Sequence, residues 1–368
     1  MSGEPRPHGS QTKLEISQEP DAIRQALNQS SIIRDVALKI QEYNPRVIVI
    51  TGSGTSFHAG NVAMYFLHTF SRIPSYCLHP SEFPYFLQEI LDENVTIVAI
   101  SQSGESSDTI EACTVARDKG ALVIPIVNEE HSTLATAFAD TVVFSQAGTE
   151  VSVLATKTYS SQLAIVASIA LELGKISGKI SDDEYNGKMK ELSLIPDRIE
   201  VMRETIQEKA HKIAKYLKFL KNAFILGSGP DVATSFEGSL KLKEGARITA
   251  QGYSAPEFLH GPITLADRDT LIVMLIPMLH DGINDEREKL FYKIIERVKK
   301  QGSSVLLIAA KNESIPVEVD FRIDVPKCSI EFNPFLAIVP LQYLVLEIAL
   351  QKGLNPDSPE WLTKVARI

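Results

Sequence analysis

The chain has 368 residues, 44% of them apolar, and a formal charge of −9. That length suggests two domains of ordinary size or one repeated core, and the acidic balance argues against a nucleic-acid partner, since no basic stripe runs along it. Cys77, Cys113 and Cys328 are few, odd in number and set in or beside apolar stretches, so neither a disulfide framework nor a zinc site is expected. No stretch reads as the roughly 20 apolar residues of a membrane span, and the polar start MSGEPRPHGSQTK has no signal-peptide core. A cytoplasmic location is the expectation, with no membrane, metal or cofactor.

Residues 1 to about 13 offer little to bury and read as a mobile leader, with no role for His8. Helical patterns follow over Pro20–Leu27 and Ser31–Gln41. Val47–Ile50 is a buried-strand pattern running into Thr51-Gly-Ser-Gly-Thr-Ser56, a turn rich in glycine and hydroxyls before a helix from Ala59. The GxG at Gly52 and Gly54 also occurs in dinucleotide folds, but Phe57 stands where a third glycine would complete that motif.

Val95–Ile100 repeats the device: a β-branched strand, then Ser101-Gln-Ser-Gly-Glu-Ser-Ser107, then helical spacing from Asp108. Hydroxyls and backbone N–H groups at a helix start form an anion site, with the helix dipole behind them. A small phosphorylated ligand fits; so does a serine cluster that merely caps the helix. Further strands are expected at Ala121–Val127 and Thr141–Phe144, and a long apolar helix from Thr158 to Leu173. In the loop between, Glu150 and Lys157 can pair as a pocket wall or stand solvated. Ser181–Phe219 is charged and helix-forming.

The second half echoes the first. Phe224-Ile-Leu-Gly-Ser-Gly229 matches Ile48–Gly54, strands are expected at Leu271–Ile276, Val305–Ala309 and Phe321–Val325, and the apolar helix recurs at Leu341–Leu350. Pro230 and Asp231 stand where the first copy has Thr55 and Ser56; an aspartate repels phosphate, so only the first half is expected to bind it. On the following helix Glu237, Lys241 and Glu244 share one face at i, i+4 and i+7. The spacing fits a surface salt-bridge ladder and equally a carboxylate able to move protons between adjacent carbons. His260, beside Glu257 and a Gly-Pro turn, is a candidate acid or base or a structural histidine. Lys364 lies in the tail after Trp361 and Leu362, where a lysine can form an imine with a keto sugar or simply face solvent.

Six words occur in order: GTS at 54–56, SQSGES at 101–106, AGTEVSVLATK at 147–157, EGSLKLKE at 237–244, EFLHGP at 257–262 and LTK at 362–364. Together they resemble the sugar isomerase (SIS) family, in particular the isomerase half of glucosamine-6-phosphate synthase. The resemblance implies an α/β fold of two tandem SIS-type, flavodoxin-like three-layer α-β-α units with parallel sheets. It divides the chain into a leader with helices (1–44), a first SIS domain (45–180), a helical connector (181–220), a second SIS domain (221–354) and a catalytic tail (355–368).

It further implies that Ser53, Thr55, Ser56, Ser101, Gln102, Ser103 and Ser106 hold the sugar phosphate, with Val153 and Thr363 lining the pocket. Glu244 would carry the proton between C1 and C2, assisted by Lys241. His260 would open the ring from a second subunit of a homodimer, and Lys364 would form the imine. The resembling synthase opens with a glutaminase domain bearing an N-terminal cysteine; here residue 2 is Ser2 and the first cysteine is Cys77, so ammonia release from glutamine is not expected. The expectation is a glucosamine-6-phosphate deaminase yielding fructose 6-phosphate and ammonia. The alternatives are amination with free ammonia or a separate glutaminase, a deglycase of a related amino sugar phosphate, and a sensor that binds without turnover.

Overall fold

The computed structural model of the chain describes residues 7–277, 285–311 and 315–364; His280, the first six residues of the expected leader and the last four of the tail lie outside them. Helices α1 (Ser10–Ser17), α2 (Glu19–Leu27) and α3 (Ser30–Tyr43) lead into strand β1 (Val47–Thr51) and helix α4 (Thr55–Phe66). Then come β2 (Ser75–Leu78), β3 (Val95–Ser101), α5 (Ser107–Asp118), β4 (Leu122–Val127), α6 (Thr133–Ala137), β5 (Val143–Phe144) and α7 (Lys157–Ile176). Two helices, α8 (Asp182–Ser193) and α9 (Ile195–Leu217), precede β6 (Asn222–Gly227), α10 (Asp231–Ala246), β7 (Thr249–Ser254) and α11 (Ala255–Phe258). The chain continues through β8 (Thr270–Ile276), α12 (Asp285–Lys300), β9 (Ser304–Ala310), β10 (Phe321–Val325) and α13 (Asn333–Gln351).

The strands form two five-stranded parallel sheets, β2-β1-β3-β4-β5 and β10-β9-β8-β6-β7. Numbered within each half, both follow one order, 2-1-3-4-5, so the repeat suspected from two glycine-rich strand ends is a repeat of the whole topology. The central strands β3 and β8 are buried along their full length, as a parallel sheet covered on both faces demands.

Two compact units contain these sheets, and neither is a contiguous block of chain. The first-sheet unit comprises Gln18–Glu150, Ala155–Pro196 and Lys364. Its core joins Val49, Ile97 and Val123 to Ala112, Ala116 and Leu134, and α7 is buried on nearly every face against α2, α3 and α4.

The second-sheet unit comprises the described residues up to Ser17, Val151–Leu154 and Asp197–Thr363. Here α10 lies close against α13: a Cβ on Gly238 would stand 2.6 Å from Leu341 Cδ1, and one on Gly245 would stand 2.6 Å from Val345 Cγ1. The expected mobile leader is corrected over residues 10–13, which begin α1. Thr12 N–H and Oγ1 each donate to Asp357 Oδ1 at 2.7 Å, and Glu15 is buried with its carboxylate accepting Val151 and Ser152 N–H. Distant partners order a segment whose own composition offers little to bury. A second correction concerns apolar length: Ile330–Gln351 is long and apolar enough to cross a membrane, and 94% of its most apolar window is buried in the fold. Burial in a protein core accounts for that composition.

Candidate functional site

In a 2-1-3-4-5 sheet the chain departs in opposite directions from the neighbouring strands β1 and β3, and their carboxyl ends open a crevice. In the first-sheet unit that crevice is edged by the two hydroxyl turns. They are drawn together closely, for a Cβ on Gly52 would come within 2.6 Å of the Ile100 carbonyl oxygen. Gly104 has φ 65°, and a Cβ there would meet Ser132 Oγ at 2.2 Å, so any other residue strains this turn.

The hydroxyls are arranged to give protons. Ser101 Oγ accepts Gly104 N–H at 3.0 Å and Ser103 Oγ accepts Glu105 N–H at 3.2 Å, so each spends a lone pair on the turn and keeps its O–H. Ser106 is the N-cap of α5 but makes no side-chain capping bond, which answers the alternative of a merely capping serine at that position. Ser56 is buried at the start of α4 and accepts Gln162 Nε2 at 3.3 Å; Ser53 is exposed, and Thr55 and Gln102 are half-buried.

A cavity of about 560 Å³ at this edge is lined by Ser103, Glu105, Asn128 and Gly148. Asn128 is a residue that sequence reasoning missed. Its Oδ1 accepts Ser145 Oγ at 2.8 Å and Ala147 N–H at 2.9 Å, and its Nδ2 donates to the Gly148 carbonyl at 3.0 Å, fixing the loop that leads to Glu150. No local pattern announces an asparagine that braces a loop 17 to 20 residues away.

The pairing of Glu150 with Lys157 is corrected. Lys157 Nζ donates to Gln18 Oε1 at 2.9 Å, whereas Glu150 Oε2 accepts Lys364 Nζ at 2.7 Å. Lys364 is therefore held by a carboxylate and is not a free surface cation.

In the second-sheet unit α10 carries the acid–base candidates. Lys241 Nζ lies 2.7 Å from Glu244 Oε2 and 3.4 Å from Glu237 Oε1, with the lysine and Glu237 side chains 2% and 1% exposed. A surface ladder is thereby set aside, because both members are buried. Glu244, 18% exposed, is the outward carboxylate of the set, and it lines a cavity of about 400 Å³ with Lys243, Arg247 and Leu362. His260 is exposed in the turn after α11, its N–H bonded to the Glu257 carbonyl at 3.0 Å. Val153 N–H donates to the Asp357 carbonyl at 3.0 Å, and Thr363 is exposed.

The second sheet's own glycine turn is closed from within. Asp231, fully buried, accepts Asn333 Nδ2 at 2.7 Å and Thr234 Oγ1 at 3.1 Å; burial pushes its carboxyl up to about 7 against the pull of those two bonds. Among the described residues no group of three or more His, Cys, Asp or Glu stands together as a metal would require.

Comparison with known proteins follows this geometry. The family model described as SIS domain matches residues 43–172 and again 217–352. Over 354 residues the chain is 34% identical to the glutamine–fructose-6-phosphate aminotransferase (isomerizing) of Thermococcus kodakarensis, covering 95% of this chain and 56% of that protein. The protein of that name from Pyrococcus horikoshii is 36% identical with the same coverage, so the chain spans little more than half the length of these curated relatives. The C-terminal domain of glucosamine-fructose-6-phosphate aminotransferase from Francisella tularensis superposes with a TM-score of 0.87 at 25% identity, over 97% of this chain and 100% of that one. The glucosamine-6-phosphate deaminase of Thermotoga maritima shares the fold, with a TM-score of 0.72 at 22% identity over 97% and 99% of the two chains.

Proposed function

The chain belongs to the SIS domain family, and on that premise we propose that it is an enzyme converting glucosamine 6-phosphate and water to fructose 6-phosphate and ammonia. The observation that carries the proposal is the buried Glu237–Lys241–Glu244 set, whose outward carboxylate faces a cavity. Burying a lysine between two carboxylates costs desolvation energy that apolar residues of the same volume would not, which favours a use beyond stability. Here the lysine orients a carboxylate that removes the proton from C2 of the open amino sugar and returns it to C1, while O1 gains a proton and the nitrogen gives one up, leaving an imine at C2. The Lys364 amine then adds at C2, ammonia leaves as the lysine imine forms, and water releases fructose 6-phosphate from that imine. Every atom of the products comes from the amino sugar and water, so this direction needs no nitrogen donor.

Ser101, Ser103, Ser106, Thr55 and Ser56 bind the phosphate by hydroxyls and turn amides, with Ser53 and Gln102 beside them. Val153 and Thr363 line the sugar pocket. His260, exposed on its turn, opens the ring in the other subunit of a homodimer, and Lys364 takes the ketose carbon as an imine. The aminotransferase activity for which the relatives are named favours a second reading, the same chemistry run toward amination with free ammonium.

One assay separates them. Purified protein with glucosamine 6-phosphate should release ammonia and fructose 6-phosphate in equal amounts. Turnover only with fructose 6-phosphate plus ammonium would select amination, and binding without turnover in either direction would reduce the chain to a sensor. Glu244→Gln should keep sugar-phosphate affinity and lose at least about a hundredfold in kcat; full turnover in that variant removes the proton-transfer assignment.

A further inference from the structure

The carboxylate of Glu150 has four donors and no exposed surface. Its Oε1 accepts the N–H groups of Thr156 at 2.9 Å and Thr158 at 3.2 Å, at the opening turn of α7. Its Oε2 accepts Thr158 Oγ1 at 2.8 Å and the Lys364 ammonium at 2.7 Å. One oxygen is thus fastened to backbone, and the other is presented to the amine. The two partners differ in access: the Glu150 side chain is 0% exposed and that of Lys364 is 23% exposed. A rigid, dry anion holds a cation that solvent can reach.

A purely structural ion pair has no need of this asymmetry, but an imine-forming lysine does. Its ammonium cannot attack a carbonyl until it gives up a proton, and a carboxylate with one oxygen already saturated by backbone donors is a fixed acceptor at contact distance. We propose that Glu150 is the positioning residue for Lys364 and holds the proton its amine must shed, an inference that rests on the imine role given to Lys364 above.

The step balances without any further reagent. Lys364 Nζ passes a proton to Glu150 Oε2, and the freed electron pair bonds to C2 of the keto sugar while the carbonyl pair moves to oxygen. That oxygen takes the proton back from Glu150. A second proton leaves nitrogen for Oε2 and is handed to the same hydroxyl, which departs as water as the nitrogen pair closes the C=N bond. The product is a protonated imine beside a carboxylate, so the pair ends with the charges it began with.

Borohydride reduction in the presence of fructose 6-phosphate tests this directly, because it fixes the imine as a stable secondary amine that peptide mass spectrometry locates. Wild type should be labelled at Lys364. Glu150→Gln keeps an acceptor for the two backbone N–H groups and removes the proton store. Its labelling at pH 7 should be slower by about a hundredfold at saturating fructose 6-phosphate, while the sugar concentration that gives half-maximal labelling stays as in wild type. Labelling at the wild-type rate overturns the proposal, and so does a loss that saturating sugar restores.

Thr158→Val provides the second variant should Glu150→Gln fail to fold. It leaves the carboxylate and both backbone donors and frees only Oε2, so labelling should change by about three- to tenfold; an unchanged rate again overturns the proposal. If wild type itself takes no label while still releasing ammonia, the imine role fails and this inference with it, a result visible before any substitution is made.

Discussion

Replacing Lys241 by methionine tests how the acid–base set is held. The ammonium stands 2.7 Å from Glu244 Oε2 and 3.4 Å from Glu237 Oε1. At an effective dielectric constant of about 20, each contact is worth about 5–6 kcal/mol of attraction, most of it cancelled by the cost of drying three charges. What remains on removing the cation alone is the penalty of a buried carboxylate without its counter-ion, about 3–5 kcal/mol. Methionine fills similar volume, so packing adds little. Urea unfolding followed by circular dichroism should therefore show Lys241→Met less stable by that amount, with kcat for ammonia release lower by about a hundred- to ten-thousand-fold. Adding Glu237→Gln removes the stranded charge and should restore about 2 kcal/mol without restoring kcat. A single variant costing less than about 1 kcal/mol, or a double variant no more stable than the single, would refute the argument that the pair is buried and mutually compensated.

Two further outcomes follow from the turns. Asp231 has its folded-state value raised to about 7 by burial, against about 3.9 when unfolded, so the native chain binds that proton the more tightly. The stability it contributes is complete below about pH 4 and gone above about pH 7, a change on the order of 4 kcal/mol; the difference between wild type and Asp231→Asn should fall by that much over this window, and a pH-independent difference contradicts it. Gly104→Ala forces a Cβ to 2.2 Å from Ser132 Oγ on a backbone at φ 65°. The expected loss is about 1–3 kcal/mol together with a raised KM for the sugar phosphate, measured by thermal unfolding and steady-state kinetics.

The sequence announces elements in proportion to how completely they are buried by their own periodicity. Val95–Ile100 and Leu271–Ile276 are continuous apolar runs, and both are central strands. The edge strands β2 and β7 carry no such signal, because Ser75–Leu78 has only four residues, Thr249–Ser254 is mostly polar residues and glycine, and both are partly exposed. Helix α1 was hidden for another reason: what orders it is Asp357, some 345 residues on. The candidate residues divide in the same way. Lys241 and Glu244 were legible because a helix brings i and i+3 together, whereas the contact of Glu150 with Lys364 spans 214 positions and leaves no local trace. The aspartate after the second glycine turn is legible as a difference between the two halves, but Asn333, which meets it from 102 residues away, leaves no local trace.

The apolar helix α13 has a bearing on how the polypeptide is made. Its cover within the second-sheet unit, including the glycine seam of α10 and the strands β9 and β10, is encoded upstream of it. A ribosome therefore delivers the receiving surface before the greasy segment that needs it, and the interval in which Ile330–Gln351 stands bare to water or to a membrane insertase is kept short. Circular permutants that place this helix ahead of α10 would lose that protection and should aggregate during synthesis even where their finished fold is the same.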